Sequence, residues 1–153
     1  MTRPSFPPLL YHGTRAAFDS LDLAMTVDGG LHVGSEEQAR MRAGTSGRLL
    51  AVSLEAFNTR RSRDTGGNWK AKVQQARAAG FQAIVYLNRY EGIPLERFQA
   101  LAQAGIDPDR LSDAQFRKQV PEAKDSWIVL DLAYLRRQPA LDLAPGPRLR
   151  GPR

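Results

Sequence analysis

The chain has 153 residues, 42% of them hydrophobic and 25% charged, which is the length and composition of one ordinary globular domain and excludes a wholly disordered polymer. With no cysteine and two histidines it cannot form disulfides, zinc ribbons or a thiol nucleophile, and it has little from which to build a transition-metal site, so no metal is expected. Its 22 basic residues, 18 of them Arg, against 16 acidic ones give a net charge of +6, a balance suited to nucleic acid, nucleotide phosphates or acidic proteins as partners. No apolar run approaches the roughly 20 residues of a membrane span, and the start MTRPSFPPLL is too short and proline-rich for a secretory signal. The expectation is therefore a cytoplasmic protein, acting in its own cell or delivered into another, with no membrane partner.

In chain order, residues 1–8 carry three prolines and read as an extended lead-in. Residues 9–12 read as a short buried strand ended by the turn signal Gly13-Thr14. Residues 16–29 are irregular, with Phe18, Leu21 and Leu23 as packing contacts. Gly29-Gly30 lead into a second strand over 31–34. Ser35, with Gln38 three residues later, forms the capping box of a helix that runs to about Arg42. Residues 48–54 form an apolar strand, and residues 58–68 a polar stretch containing Arg60, Arg61, Arg63 and Asp64. The spacing of Trp69, Val73 and Ala76 predicts a helix over 69–79, stopped by Gly80.

Residues 81–87 read as a buried strand. Residues 95–104 and 112–120 follow as two short helices punctuated by Asp107-Pro108 and Pro121, and residues 127–132 form the last strand. The main domain is expected over residues 9–137, with a helical insert at about 93–124. Residues 138–153, rich in Pro and Arg, read as a disordered tail. Short strands without regular crossover helices point to an α+β domain of two small packed sheets, antiparallel or mixed, with flanking helices. Neither GxGxxG nor GxxxxGK[ST] occurs, so the two common phosphate loops are absent.

Three places could carry chemistry. In Tyr11-His12-Gly13-Thr14-Arg15 an imidazole stands beside a glycine that lets a flat ligand approach the backbone; equally, the glycine turns the chain after a strand-end histidine. In Gly30-Leu31-His32-Val33-Gly34-Ser35 a glycine-flanked histidine runs into a capped helix, whose N-terminus suits an anion. Two histidines in such settings suggest one shared cleft. In Asp125-Ser126-Trp127-Ile128-Val129 a carboxylate stands at the head of a strand, where it could steady a developing cation or simply cap a turn. Glu91-Gly92, after the strand bearing Tyr86, is a second acidic candidate. The arginines of 58–68 read as a solvated loop or a phosphate cradle.

Taken in order, these segments resemble the ADP-ribosyltransferase fold, in its histidine-first branch that includes poly-ADP-ribose polymerases and diphtheria-toxin-like enzymes. Leu10-Tyr11-His12-Gly13-Thr14-Arg15 looks like its His-Gly-Ser/Thr strand. Leu31-His32-Val33-Gly34 looks like the second strand, which usually carries Tyr, and Trp127-Ile128-Val129 like the strand that begins with a catalytic Glu. The likeness is closer to small ADP-ribosyltransferase-like domains of phages and bacterial mobile elements. Those also carry stretches similar to Arg63-Asp64-Thr65-Gly66-Gly67-Asn68-Trp69, Gly80-Phe81-Gln82-Ala83-Ile84-Val85-Tyr86 and Asp125-Ser126-Trp127-Ile128-Val129.

The resemblance, which spans about residues 9–135, implies NAD as a substrate, bound in a cleft between two sheets and cleaved to pass ADP-ribose to a macromolecule, protein or nucleic acid. Toxin, defence and phage-effector roles are all open. It implies that Tyr11, His12, Gly13, Thr14, Arg15, Leu31, His32, Gly34 and Tyr86 surround the NAD. His12 would hold ribose hydroxyls, the Gly13 backbone would take the carboxamide, and His32 would stand where an aromatic ring stacks on nicotinamide. The chain departs from the pattern at Ser126, which occupies the catalytic Glu position. Either Asp125 or Glu91 substitutes, or Ser126 works by a weaker mechanism, or the domain binds NAD-like or nucleic-acid ligands without transfer. Strand alternation sets Asp125 and Ser126 on opposite faces unless the strand starts later. RNA 2′-phosphotransferases, with a His-Gly-Thr strand and a second histidine strand, are also similar.

Overall fold

The computed structural model describes residues 6–15, 21–23, 26–56 and 58–145. Strands β1 (Leu10–Thr14), β3 (Arg48–Leu54) and β7 (Leu135–Arg137) form an antiparallel sheet in the order β1-β3-β7. Strands β2 (Leu31–Val33), β6 (Asp125–Val129), β5 (Ala83–Leu87) and β4 (Thr59–Arg61) form the second sheet, in the order β2-β6-β5-β4. Only the β4–β5 pair in it is parallel. The domain is thus α+β with two small sheets, one antiparallel and one mixed.

Side-chain alternation explains how the layers stack. On β6, Trp127 and Val129 point between the sheets and pack with Leu10, Leu31, Val33, Val52, Leu54 and Val85. Ile128 points the other way, with Ile84 and Tyr86, under α2 (Trp69–Ala78), whose Val73 and Ala76 close that layer. Both faces of the central strand β5 are covered, and all five of its residues are buried, which is why AIVYL is an unbroken apolar run. Helix α1 (Glu36–Ala43) lays Ala39 and Ala43 on Leu49 of β3.

Between β5 and β6 the chain adds α3 (Leu95–Gln103) and α4 (Asp113–Gln119). Leu101, Phe116, Val120 and Ile93 gather there around Leu87. Arg89, only 3% exposed, ties this unit to the sheet. Its guanidinium donates to the carbonyls of Pro108 and Leu111 and to Asp113, at 2.8–2.9 Å.

The structure corrects the element boundaries in four places. β1 runs on through Gly13 and Thr14, read from sequence as the turn that ends it, because both residues pair with β3. β4 and β7 are strands of polar sequence, Thr-Arg-Arg and Leu-Arg-Arg, at sheet edges, where one side of the strand is left to solvent and no apolar run is needed. β6 begins at Asp125, two residues before the expected start, and the strand has ended when Asp131 caps a 3-10 turn at Leu132–Tyr134. Residues 138–145, read from composition as tail, lie against β3. Gln138 N–H donates to the Ala51 carbonyl, Leu49 and Leu143 exchange both backbone bonds at 2.9 Å, and Asp142 accepts from Ala51 N–H at 2.7 Å. Main-chain bonds and one carboxylate hold this segment, and proline content carries no trace of either. Leu21 and Leu23 pack against the inter-sheet core as expected, whereas Phe18 lies outside the described residues. No helix among the described residues is long and apolar enough to cross a membrane.

Candidate functional site

β1 and β2 are edge strands of different sheets, and they touch at one bridge. There Tyr11 and Gly34 exchange backbone hydrogen bonds of 2.8 and 2.9 Å. Continuing that antiparallel register would next pair Gly13 with His32. The pairing does not form. Instead His12 Nδ1 donates to the His32 carbonyl at 2.8 Å. Alternation puts the Gly13 N–H and C=O on the edge that Tyr11 uses, so both face the gap where the two sheets part.

The His32 carbonyl can only accept, so His12 carries its proton on Nδ1 and leaves Nε2 as a bare acceptor. Burial lowers the pKa of this imidazole, opposed by the hydrogen bond to His32 and reinforced by the charges of Arg42, His32 and Arg137. The ring is neutral at neutral pH.

His32 points its own side chain to the other face of β2. Its Nε2 meets Asp28 Oδ2 at 2.6 Å, while Nδ1 lies 3.3 Å from Arg42 Nη2 and 3.4 Å from the Tyr86 hydroxyl. Arginine only donates, so Nδ1 is the acceptor and Nε2 holds the proton given to Asp28. Burial works against the Asp28 charge, but the hydrogen bond and charge of His32, the Gly30 N–H and Arg42 together hold its carboxyl below the ordinary range. Trp69 stands edge-on to His32 at 6.5 Å and tilted against Tyr86 at 4.5 Å. Burial raises the Tyr86 phenol pKa, so it stays protonated.

Arg42 Nη2 also donates to Glu91 Oε1 at 3.0 Å, and Asn88 Nδ2 donates to the same oxygen. Among the carboxylates that line this region, Asp28 uses both oxygens, on Gly30 N–H and His32, and Asp64 uses both, on the N–H groups of Gly66 and Arg89. Glu91 Oε2 makes no hydrogen bond among the described residues.

These groups line two adjoining lobes. One, of about 260 Å³, lies between His12, Gly13, Thr26 and Gly30. The other, of about 370 Å³, lies among Asp64, Gly66, Gly67, Trp69, Tyr86, Asn88, Tyr90 and Glu91. Val27, Asp28, His32 and Arg42 border both. A more voluminous cavity, about 710 Å³, opens elsewhere, between Phe6, Leu10, Trp127, Arg117 and Asp125. It contains neither histidine nor Glu91, so the chemically equipped space is the two-lobed cleft.

Of the residues expected at the site from sequence, His12, Gly13, His32, Tyr86 and Glu91 line the cleft. Asp125 does not. It faces away from Ser126 and is held by Arg61 at 2.7 and 3.2 Å and by Arg117 at 2.9 Å. Ser126 sits behind the cleft, 3% exposed, donating to Gln38 Oε1 at 2.7 Å and accepting from Asn88 at 3.1 Å. Among the described residues, it lines a void of about 10 Å³, too small for a substrate. Tyr11 packs on the α1 cluster, Leu31 lies in the inter-sheet core, and Arg15 donates to the Ala43 carbonyl. Gly34 holds the bridge to β1, and Thr14 ends β1 opposite Arg48.

Both glycines of the two histidine strands are required by packing. A Cβ on Gly13 would strike the Ala39 carbonyl, and one on Gly34 would strike the Gln38 amide and Ser126. The close approach that Gly13 permits is therefore that of α1, while its backbone edge remains open to the cleft.

Sequence reasoning missed Asp28, Arg42, Trp69 and Asn88 as cleft residues. Asp28 stands four residues before His32, a spacing that was visible, but in a stretch with no regular element to give the spacing meaning. Among the described residues, no three His, Asp or Glu side chains gather to hold a metal ion. Comparison of the chain with family models, curated proteins and solved structures gives no match.

Proposed function

We propose that the protein binds NAD in the two-lobed cleft and transfers its ADP-ribose to a macromolecular acceptor. The observation that carries the reading is the open backbone edge of Gly13 beside a neutral His12. An N–H and a C=O side by side on one strand edge match a carboxamide, which presents one acceptor and one donor in the same plane. His12 Nε2, with its lone pair free, accepts from a ribose hydroxyl. The aromatic group of His32, Trp69 and Tyr86 supplies flat apolar surface to a heteroaromatic ring.

In the proposed reaction the bond between the ribose anomeric carbon and the nicotinamide nitrogen breaks, and its electron pair leaves with the now neutral nicotinamide. The acceptor nucleophile then bonds to the anomeric carbon and releases its proton to solvent. Positive charge grows on the ribose as the bond breaks, and a nearby negative charge lowers that barrier. Glu91 is the group suited to this, because Arg42 and Asn88 fix one of its oxygens while the other remains uncommitted. In this reading Glu91 supplies, from the loop after β5, the carboxylate that Ser126 lacks at the head of β6.

The test is incubation of the protein with labelled NAD and cell lysate, following nicotinamide release and label transfer. The wild type is expected to release nicotinamide and to label protein or nucleic acid, and folded His12→Ala is expected to lose about 10²-fold or more of that rate. A folded wild type that binds NAD without releasing nicotinamide would overturn transfer in favour of a binding module, the reading that Ser126 at the Glu position favours. Release that occurs only with 2′-phosphorylated RNA would assign the phosphotransferase reaction instead.

A further inference from the structure

Arg42 is the one arginine or lysine that borders either lobe among the described residues, and it borders both. It stands in the last turn of α1 with 36% of its side chain exposed. Both its contact to Glu91 and its contact to His32 come from a single nitrogen, Nη2, so Nη1 and Nε make no hydrogen bond among the described residues. The remaining charges around the lobes are the carboxylates of Asp28, Asp64 and Glu91, which repel an anion.

We propose that Arg42 is the phosphate-recognising and specificity-determining residue of the cleft. Its free Nη1 and Nε receive the pyrophosphate of a dinucleotide bound in the cleft that the two lobes form. The inference rests on the NAD reading and adds to it the group that selects a pyrophosphate-bridged ligand over an uncharged nucleoside. A guanidinium that borders both lobes is, among the described residues, the one cation a ligand's phosphates can meet in either, and its planar fork matches phosphate oxygens in a way a lysine ammonium does not. The same guanidinium holds Glu91 through Nη2. A phosphate that immobilises Arg42 therefore also fixes the carboxylate, and recognition of the linker is coupled to the position of the group beside the ribose.

Two measurements test this with Arg42→Gln, whose fold is checked first by circular dichroism. In the first, nicotinamide release is compared between NAD and nicotinamide riboside, which has no phosphate. The variant is expected to lose about 10- to 100-fold in kcat/KM on NAD, mostly through KM, and far less on the riboside. Equal losses on both substrates would mean that Arg42 only positions Glu91 and would overturn phosphate recognition, as would no loss on NAD. In the second, calorimetry follows ADP-ribose and adenosine binding without turnover. Arg42→Gln is expected to weaken ADP-ribose about 10- to 100-fold and leave adenosine unchanged. ADP-ribose binding that is the same with and without Arg42 overturns the proposal whatever the enzyme activity. Failure of the wild type to release nicotinamide overturns the transferase reading and leaves the ADP-ribose measurement to decide Arg42.

Discussion

Asp125 and Glu91 are two carboxylates of almost equal exposure, 21% and 22% of their side chains, that stand in opposite situations. Asp125 takes two guanidiniums, with Arg61 and Arg117 both on Oδ1 and Arg61 also on Oδ2. Glu91 has one oxygen fixed by Arg42 and Asn88 and the other unused. They also lie on different sides of the second sheet, since Asp125 shares the face of Trp127 while Glu91 joins Ser126, through Asn88, on the other. Exposure does not distinguish a structural carboxylate from one available for chemistry. What distinguishes them is how many of their lone pairs are already taken and which cavity the free ones meet.

The sharpest way to break this contrast is to neutralise each carboxylate in turn. Glu91→Gln is expected to lower nicotinamide release by about 10²–10⁴-fold, with the fold intact. Asp125→Asn is expected to leave the rate unchanged and to cost stability of about 1 kcal/mol or less, because both arginines are half exposed and solvent screens the pairs. Steady-state rates and urea midpoints on the two variants separate the roles. A rate loss in Asp125→Asn as deep as that in Glu91→Gln would remove the distinction.

Ser126 sharpens the contrast from the structural side. Its hydroxyl is donor to Gln38 and acceptor from Asn88, and each of those partners keeps another hydrogen bond without it, to Ser35 N–H and to Glu91. Ser126→Ala is therefore expected to cost about 1–1.5 kcal/mol, read as a lower urea midpoint, with little change in the chemical rate. A rate loss comparable to that of Glu91→Gln, at unchanged stability, would return Ser126 to the reaction.

How far the sequence reveals this arrangement depends on whether a residue's role is local. The capping box of α1 is local and is found as read, with Ser35 and Gln38 exchanging bonds of 3.0 and 3.2 Å. That Gln38 Oε1 also accepts from Ser126, 88 positions away, has no local signal. The buried β5 is legible in its unbroken apolar run, and the opposite faces of Asp125 and Ser126 follow from period-two alternation once the strand is known to start at Asp125. Arg42 reads as a cation at a helix C-terminus, a role it needs no cleft to explain, and its contact to Glu91 spans 49 positions. The lobe that Gly13 and His32 both line lies where the register of the Tyr11–Gly34 bridge would pair those two residues and no pair forms, and an absent pairing leaves no mark in composition or spacing.

The smallest expected effect concerns pH, and it tests whether His12 belongs to the buried side of the site. Its pKa is lowered in the folded protein by burial and by the charges of Arg42, His32 and Arg137, against the hydrogen bond to His32. The unfolded chain therefore takes up this proton at higher pH than the folded one does. Stability from the neutral ring is fully present above the ordinary value of 6.5 and is lost as pH falls through the lower folded value. His12→Gln keeps an N–H donor for the His32 carbonyl but has nothing to titrate. Urea midpoints of the wild type are expected to fall more steeply than those of the variant as pH drops below 6.5. All other titratable groups are common to both proteins and cancel in that difference. Parallel midpoints would mean that the His12 ring protonates as freely folded as unfolded, and that burial does not hold it neutral below the ordinary value.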